Sequence, residues 1–180
     1  QVLRQRGYEI TASTGKGYRL AKKLDLLDAD RISSCLKTKW LGRDMRISAQ
    51  VGPTNEVALS LARNCPSGTV ILAETQTQGR GRLSRPWASP PGGIWMSLIL
   101  KPKMPLNQVY QINMAASVAL CRTFSSMLGL EAGIKWPNDL LIRELKICGI
   151  LMEVGAQVDR LDYAVVGLGL NVNNDPSDFS

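Results

Sequence analysis

The chain contains no histidine. Imidazole is therefore unavailable as a general base or as a metal ligand. Cysteine is sparse and scattered: Cys35, Cys65, Cys121 and Cys148 form no Cys-x-x-Cys pair. A zinc site is not expected from such spacing. The start of the chain shows no signal-peptide pattern, and no apolar run is long enough to cross a bilayer. The longest candidate, Ile112 to Leu130, is interrupted by Asn113, Ser117, Arg122, Ser125 and Ser126, so it reads as a core helix. Scattered thiols without a secretion signal point to a reduced, cytoplasmic setting with no membrane partner. No internal repeat is visible, and helices and strands do not alternate regularly enough for a doubly wound sheet.

What is present is ordinary globular composition, with 44% hydrophobic and 21% charged residues over 180 positions. That length suits one substantial domain and a fragment of another. The net charge of +7 is uneven. Residues 1–48 hold 11 Lys/Arg against 5 Asp/Glu, and residues 49–180 are almost balanced at 11 against 10. The basic character thus belongs to the first quarter, as in a nucleic-acid footprint or a solvated surface.

Val2 to Gly7 reads as the end of a basic helix stopped by glycine. Tyr8–Thr11 and Tyr18–Leu20 read as short strands joined by a tight Gly15-Lys16-Gly17 turn. A helix end followed by a basic hairpin is how a winged helix finishes. Further elements are expected at Ala29–Leu36 (helix), Thr54–Asn64 (helix), Thr69–Glu74 (strand), Ile94–Leu100 (strand) and Asn107–Leu128 (helix). Strands follow around Ile134–Trp136, Lys146–Val154 and Tyr163–Val172, with a hairpin turn near Arg143–Leu145. The fold class expected is α+β: a mixed β-sheet with helices packed on one face.

Four segments could carry chemistry. Gly79-Arg80-Gly81-Arg82-Leu83-Ser84-Arg85-Pro86-Trp87 is a cationic loop whose glycines let the backbone approach a ligand. Its arginines suit carboxylate and phosphate. It reads either as an anion-ordered lid or as a solvated Arg/Gly loop. In Ile134-Lys135-Trp136-Pro137-Asn138-Asp139, the lysine is presented beside a rigid stop, unless it is an ordinary surface lysine. Lys146-Ile147-Cys148-Gly149-Ile150-Leu151-Met152-Glu153 is the third segment. In the fourth, Gly167-Leu168-Gly169-Leu170-Asn171, strand alternation puts Gly167, Gly169 and Asn171 on one side. Glycine repeated inside a strand implies close packing there, by a ligand or by a helix.

These four segments, in this order and at this spacing, resemble the signatures of biotin–protein ligases. Thr54, Asn55 and Gln76 match biotin-pocket positions of that family, and residues 1–20 are similar to the end of the winged helix of its bifunctional, repressor members. Leu83 and Ser84 stand where the family more usually has basic or glycine residues, and Pro53 stands where many members have serine. The resemblance implies a class II synthetase-like catalytic domain over residues 49–180, preceded by a linker and the start of that domain at 21–48 and a winged helix-turn-helix remnant at 1–20. Both ends are expected to be cut, with a small C-terminal β-barrel domain beyond residue 180.

The implied activity joins biotin to ATP as biotinyl-5'-AMP, with Mg²⁺ accompanying ATP, then transfers biotin to a lysine of a biotin carboxyl carrier protein. The implied catalytic residues are Lys135, Arg80 and Arg82. Biotin would be held by Thr54, Asn55, Gln76, Gly79, Arg80, Arg82, Trp87, Lys135, Gly149, Gly167 and Gly169. The adenylate would be held by Arg82, Arg85, Trp87, Lys135, Asn138 and Asn171, and no protein metal ligands are implied. A homodimer, and operator DNA for a bifunctional parent, are further implied partners. The alternatives are a lipoate–protein ligase, although that family's motif normally contains histidine, and a non-catalytic DNA-binding repressor.

Overall fold

A computed structural model describes residues 9–15, 17–22, 26–157, 160–175 and 177. The helix end expected at Val2–Gly7 lies outside them. The hairpin expected next is present: β1 (Glu9–Ser13) pairs antiparallel with β2 (Gly17–Lys22), Ser13 opposite Gly17. Gly15 and Gly17 take φ of +75° and +78°, a region in which glycine carries no Cβ penalty. The two strands form a sheet of their own.

A short helix, α1 (Ala29–Cys35), is capped by the Asp28 carboxylate on the Arg31 N–H. The main sheet has seven strands: β3 (Met45–Val51), β4 (Val70–Gln76), β5 (Ile94–Leu100), β6 (Gly133–Lys135), β7 (Asp139–Ile142), β8 (Leu145–Gln157) and β9 (Arg160–Leu170). Their lateral order is β3-β4-β5-β9-β8-β7-β6. Only β3 and β4 run parallel. A parallel pair needs a crossover, and α2 (Thr54–Leu61) supplies it. The tight β7–β8 turn puts Arg143 and Glu144 at φ +48° and +65°, the positive pair that matches strand twist in two-residue hairpins.

The expected mixed sheet with packed helices is observed, but the helices do not share one face. Ala58 and Ala62 of α2, with Cys65, bury against Ile71, Ile99 and Val165. The long helix α3 (Tyr110–Thr123) sets Ile112, Ala116 and Leu120, four residues apart, with Phe124 against Leu140, Cys148, Ile150 and Val166. Val165 and Val166 point to opposite sides of β9, so α2 and α3 cover opposite faces. The α-helix ends at Thr123, where a π-turn (Phe124–Leu128) leads to Gly129 at φ +64°. Helix α2 covers only part of its face, and the candidate site occupies the rest.

Two strands have no counterpart in the sequence reading. Strand β3 is an edge strand without clean alternation of burial. Strand β7 has four residues and is hidden between a motif and a turn.

Candidate active site

The floor of the site is a lateral row across five strands. Trp95 of β5 faces Gly169 of β9, which faces Gly149 of β8, then Asp139 of β7, then Lys135 of β6. A second row runs Ser97–Gly167–Leu151. The glycines admit close neighbours. A Cβ on Gly169 would lie 2.5 Å from Trp87 Nε1, and one on Gly149 3.0 Å from Trp87 Cζ3. A Cβ on Gly167 would lie 2.2 Å from Asn55 Oδ1. The indole of Trp87 therefore lies on Gly149 and Gly169, and the Asn55 amide lies on Gly167.

At one end of this floor the first turn of α2 meets the end of β4. The residue before the helix, Pro53, makes no side-chain cap. Gln76 serves instead: its Oε1 accepts from Thr54 N at 2.7 Å and from Thr54 Oγ1 at 3.1 Å. Gln76 Nε2 donates to Ser89 Oγ at 2.7 Å. Ser97 Oγ lies 2.8 Å from Thr54 Oγ1 and 2.6 Å from Asn55 Oδ1. Asn55 Nδ2 donates to Leu151 O at 3.2 Å and to Glu153 Oε2 at 2.7 Å. Both amide hydrogens of Asn55 are thus committed, while Gln76 keeps one free N–H. Among the described residues the buried Trp87 Nε1–H meets no acceptor. Buried donors of this kind ordinarily find partners, so the pocket offers donors together with a carbonyl acceptor.

The cationic loop is folded back on itself. Trp87 N donates to Gly79 O and Gly81 N to Arg85 O, both at 2.8 Å. Leu83 and Ser84 at its tip both have φ +55°, a left-handed conformation costing non-glycine residues about 1–2 kcal/mol. Arg80 is paired with Glu56 and, at 3.3 Å, with Glu153. Arg82 Nη1 donates to Asn138 Oδ1 at 3.2 Å. Across the cavity, Lys146 Nζ lies 4.9 Å from the Trp87 ring centroid and 2.8 Å from Asp139 Oδ1. Behind the floor, on the α3 side, burial pushes the Cys148 thiol up to about 12, which keeps it protonated and inert.

These elements enclose a cavity of about 440 Å³, within the range of small-ligand sites. Its wall includes Thr54, Asn55, Gln76, Gly149, Gly167 and Gly169, with Arg80, Arg82, Arg85, Trp87 and Asn138. Three expected residues are not on that wall. Gly79 is buried beneath the loop, where a Cβ would meet Trp87 O at 2.4 Å. Asn171 follows β9; its N–H donates to Ile147 O at 2.8 Å, and its Oδ1 is buried and unpaired. Lys135 is exposed at the far end of the floor row, beside a separate depression shared with Glu131 and Arg143. Its Cα register puts it on the site's face, two strands from Gly149, a span of about 10 Å.

Sequence reasoning missed Ser97, Ser89, Glu56 and the pairing of Lys146 with Asp139. Lys146, Asp139 and Glu153 lie inside quoted segments, where their contacts could not be foreseen. Ser97 and Glu56 carry no local signal at all.

Comparison with known proteins agrees with this geometry. Residues 48–171 match the biotin/lipoate A/B protein ligase family. The bifunctional ligase/repressor BirA of Bacillus subtilis is 44% identical over 99% of this chain and 56% of its own length. The biotin--[acetyl-CoA-carboxylase] ligase of Paracoccus denitrificans is 34% identical over 71% of this chain and 54% of its own. Biotin protein ligase from Aquifex aeolicus, solved in complex with biotin and ATP, superposes with a TM-score of 0.63 at 30% identity, over 73% of this chain and 53% of that one. The chain thus spans about half the length of the relatives it matches. Its profile, its sequence identities and its mixed sheet all agree, and the chain belongs to the biotin/lipoate A/B protein ligase family.

Proposed function

We propose that the protein is an ATP-dependent biotin–protein ligase. Biotin's carboxylate attacks the α-phosphate of ATP, giving biotinyl-AMP and pyrophosphate. A lysine amine of a biotin carboxyl carrier protein then attacks the acyl carbon and expels AMP. The observation that carries this reading is a single cavity with a glycine floor, a cationic rim and a polar end.

The polar end suits a cyclic urea, with free N–H groups on Gln76 and Trp87 for its carbonyl and the Asn55 oxygen for its N–H. The glycine floor and the Trp87 ring would take the apolar remainder. Step one brings two anions together, so cations must offset their repulsion and the charge growing at phosphorus. Arg82 and Arg85 are placed for the phosphate, with Asn138 beside Arg82. Lys135 would reach the carboxyl and phosphate oxygens along the floor row. Arg80, Gly79 and Asn171 act in support, the first two by shaping the loop and the last at the end of β9.

Mg²⁺ would arrive on ATP. Among the described residues no group of three or more Cys, Asp or Glu is arranged to hold it. The cavity's carboxylate, Asp139, is paired with Lys146. Residues 49–180 would form the catalytic domain and residues 1–20 the wing of a DNA-binding domain, with 21–48 as linker and start of the catalytic domain. A homodimer and an operator site belong to a bifunctional parent on this reading.

The test is pyrophosphate release and adenylate formation from ATP with biotin or lipoate, followed by labelling of a biotin-acceptor domain. Turnover with biotin is expected; turnover with lipoate alone would replace the proposal with a lipoate ligase. Lys135→Ala should slow adenylate formation at least about a hundredfold, the scale of losing one charge-stabilising donor. A near-normal rate in that variant would remove Lys135 from the chemistry.

A further inference from the structure

One carboxylate in the site serves two masters. Glu153, near the middle of β8, accepts from Asn55 Nδ2 at Oε2, 2.7 Å away, and from Arg80 Nη2 at Oε1, 3.3 Å away. Asn55 belongs to the pocket: its amide lies on Gly167 and its oxygen is held at Ser97. Arg80 belongs to the loop, whose base it fastens to α2 through Glu56. The two donors lie 25 positions apart in sequence, and they meet on a single side chain.

We propose that Glu153 is a positioning residue that couples closure of the 79–87 loop to the orientation of the Asn55 amide. This rests on the biotin-ligase reading and deepens it. An amide has one oxygen acceptor and an NH₂ donor, whereas a carboxylate accepts at both oxygens. Asn55 Nδ2 and Arg80 Nη2 are both donors. A carboxylate receives one donor at each oxygen, whereas glutamine would turn an NH₂ toward one of the two and an apolar residue would receive neither. With Glu153 in place, the Asn55 amide cannot turn over, because Nδ2 is fixed between Leu151 O and Glu153. Its oxygen therefore faces Ser97 and the pocket. A detached loop leaves Glu153 with half its partners, and a misoriented Asn55 leaves Arg80 with a displaced one. Ligand selection and lid closure thereby share one group. Aspartate, shorter by one methylene, would reach one donor at most.

The test uses the full chain and two readouts. Trypsin cleavage at Arg82–Leu83 reports loop opening, since Leu83 is 84% exposed, and the product peptide is followed by mass spectrometry. Half-saturating biotin and the maximal rate of adenylate formation report the pocket. Glu153→Gln should raise both the cleavage rate and the half-saturating biotin concentration by about tenfold, the loss of one charge-assisted hydrogen bond. The rise in half-saturating biotin separates this from a merely destabilised fold, which would lower the maximal rate through loss of active protein and leave half-saturation alone. Arg80→Met should speed cleavage similarly, and the double variant should be cleaved no faster than Arg80→Met. A shift in only one readout for Glu153→Gln, or multiplied effects in the double variant, would overturn the coupling. Should Glu153→Gln fail to fold, unchanged cleavage in Arg80→Met decides against it. If the wild type forms no adenylate, it is the ligase reading that fails, and cleavage alone then judges the Glu153 tie.

Discussion

Gly167 shows how much a missing methyl group can determine. The Asn55 oxygen occupies the space a Cβ would need, at 2.2 Å. In Gly167→Ala the amide must leave, and with it the contacts to Ser97 and Glu153. A stability loss of about 1–3 kcal/mol is expected from such overpacking, read by urea denaturation. Biotin affinity should fall at least about tenfold as the hydrogen-bonding end is disordered, read by calorimetry. Normal biotin binding in a folded Gly167→Ala would show that Asn55 does not hold the ligand. Sequence alone indicated that something packs closely on Gly167 and Gly169, but not what. The answer differs for each, an amide for one and an indole for the other, because it depends on which element crosses above.

Among the elements, the 79–87 loop takes its shape from partners distant in sequence. It is a closed turn in which Glu56, Glu153 and Asn138 receive Arg80 and Arg82. Those acceptors come from α2, β8 and the β6–β7 connection, so no local window of sequence reveals them. The left-handed backbone at Leu83 and Ser84 is a cost that the paired base of the loop sustains. If the loop shields the adenylate, Arg82→Gly should release biotinyl-AMP and label lysines on bystander proteins. Labelling confined to the acceptor domain, at an unchanged rate, would argue that the loop is not the shield. Other elements were plain from pattern alone. Strand β5 matches its expected span residue for residue, since it lies in the sheet interior with strict alternation of burial. Strands β3 and β7 were not legible, one at an edge and one of four residues.

Across the whole molecule, the cavity lies on the face that α2 leaves open, and α3 closes the opposite side. The expectation of helices on one face failed because periodicity shows which side of a helix is apolar, not which side of a sheet receives it. Among the described residues the hairpin β1–β2 pairs only with itself. On the proposed reading of this hairpin as a wing, it would offer mainly backbone contacts to DNA. The 180-residue chain should therefore bind DNA only weakly, with strong salt dependence and no preference for a palindromic operator. A sequence-specific gel shift at physiological salt would contradict this.

The transverse row from Trp95 to Lys135 carries one more implication. Its members come from five strands and are brought side by side solely by hydrogen-bond register. Sliding β8 by a single residue would turn Gly149 away and thrust Cys148 or Ile150 upward, plugging the slot. The same slip would draw Cys148 and Ile150 out of the α3-side core and turn Glu153 into it, so a misthreaded chain would lose its packing together with its guest. Ligand capture by this protein is in effect a proofreading signal for strand alignment.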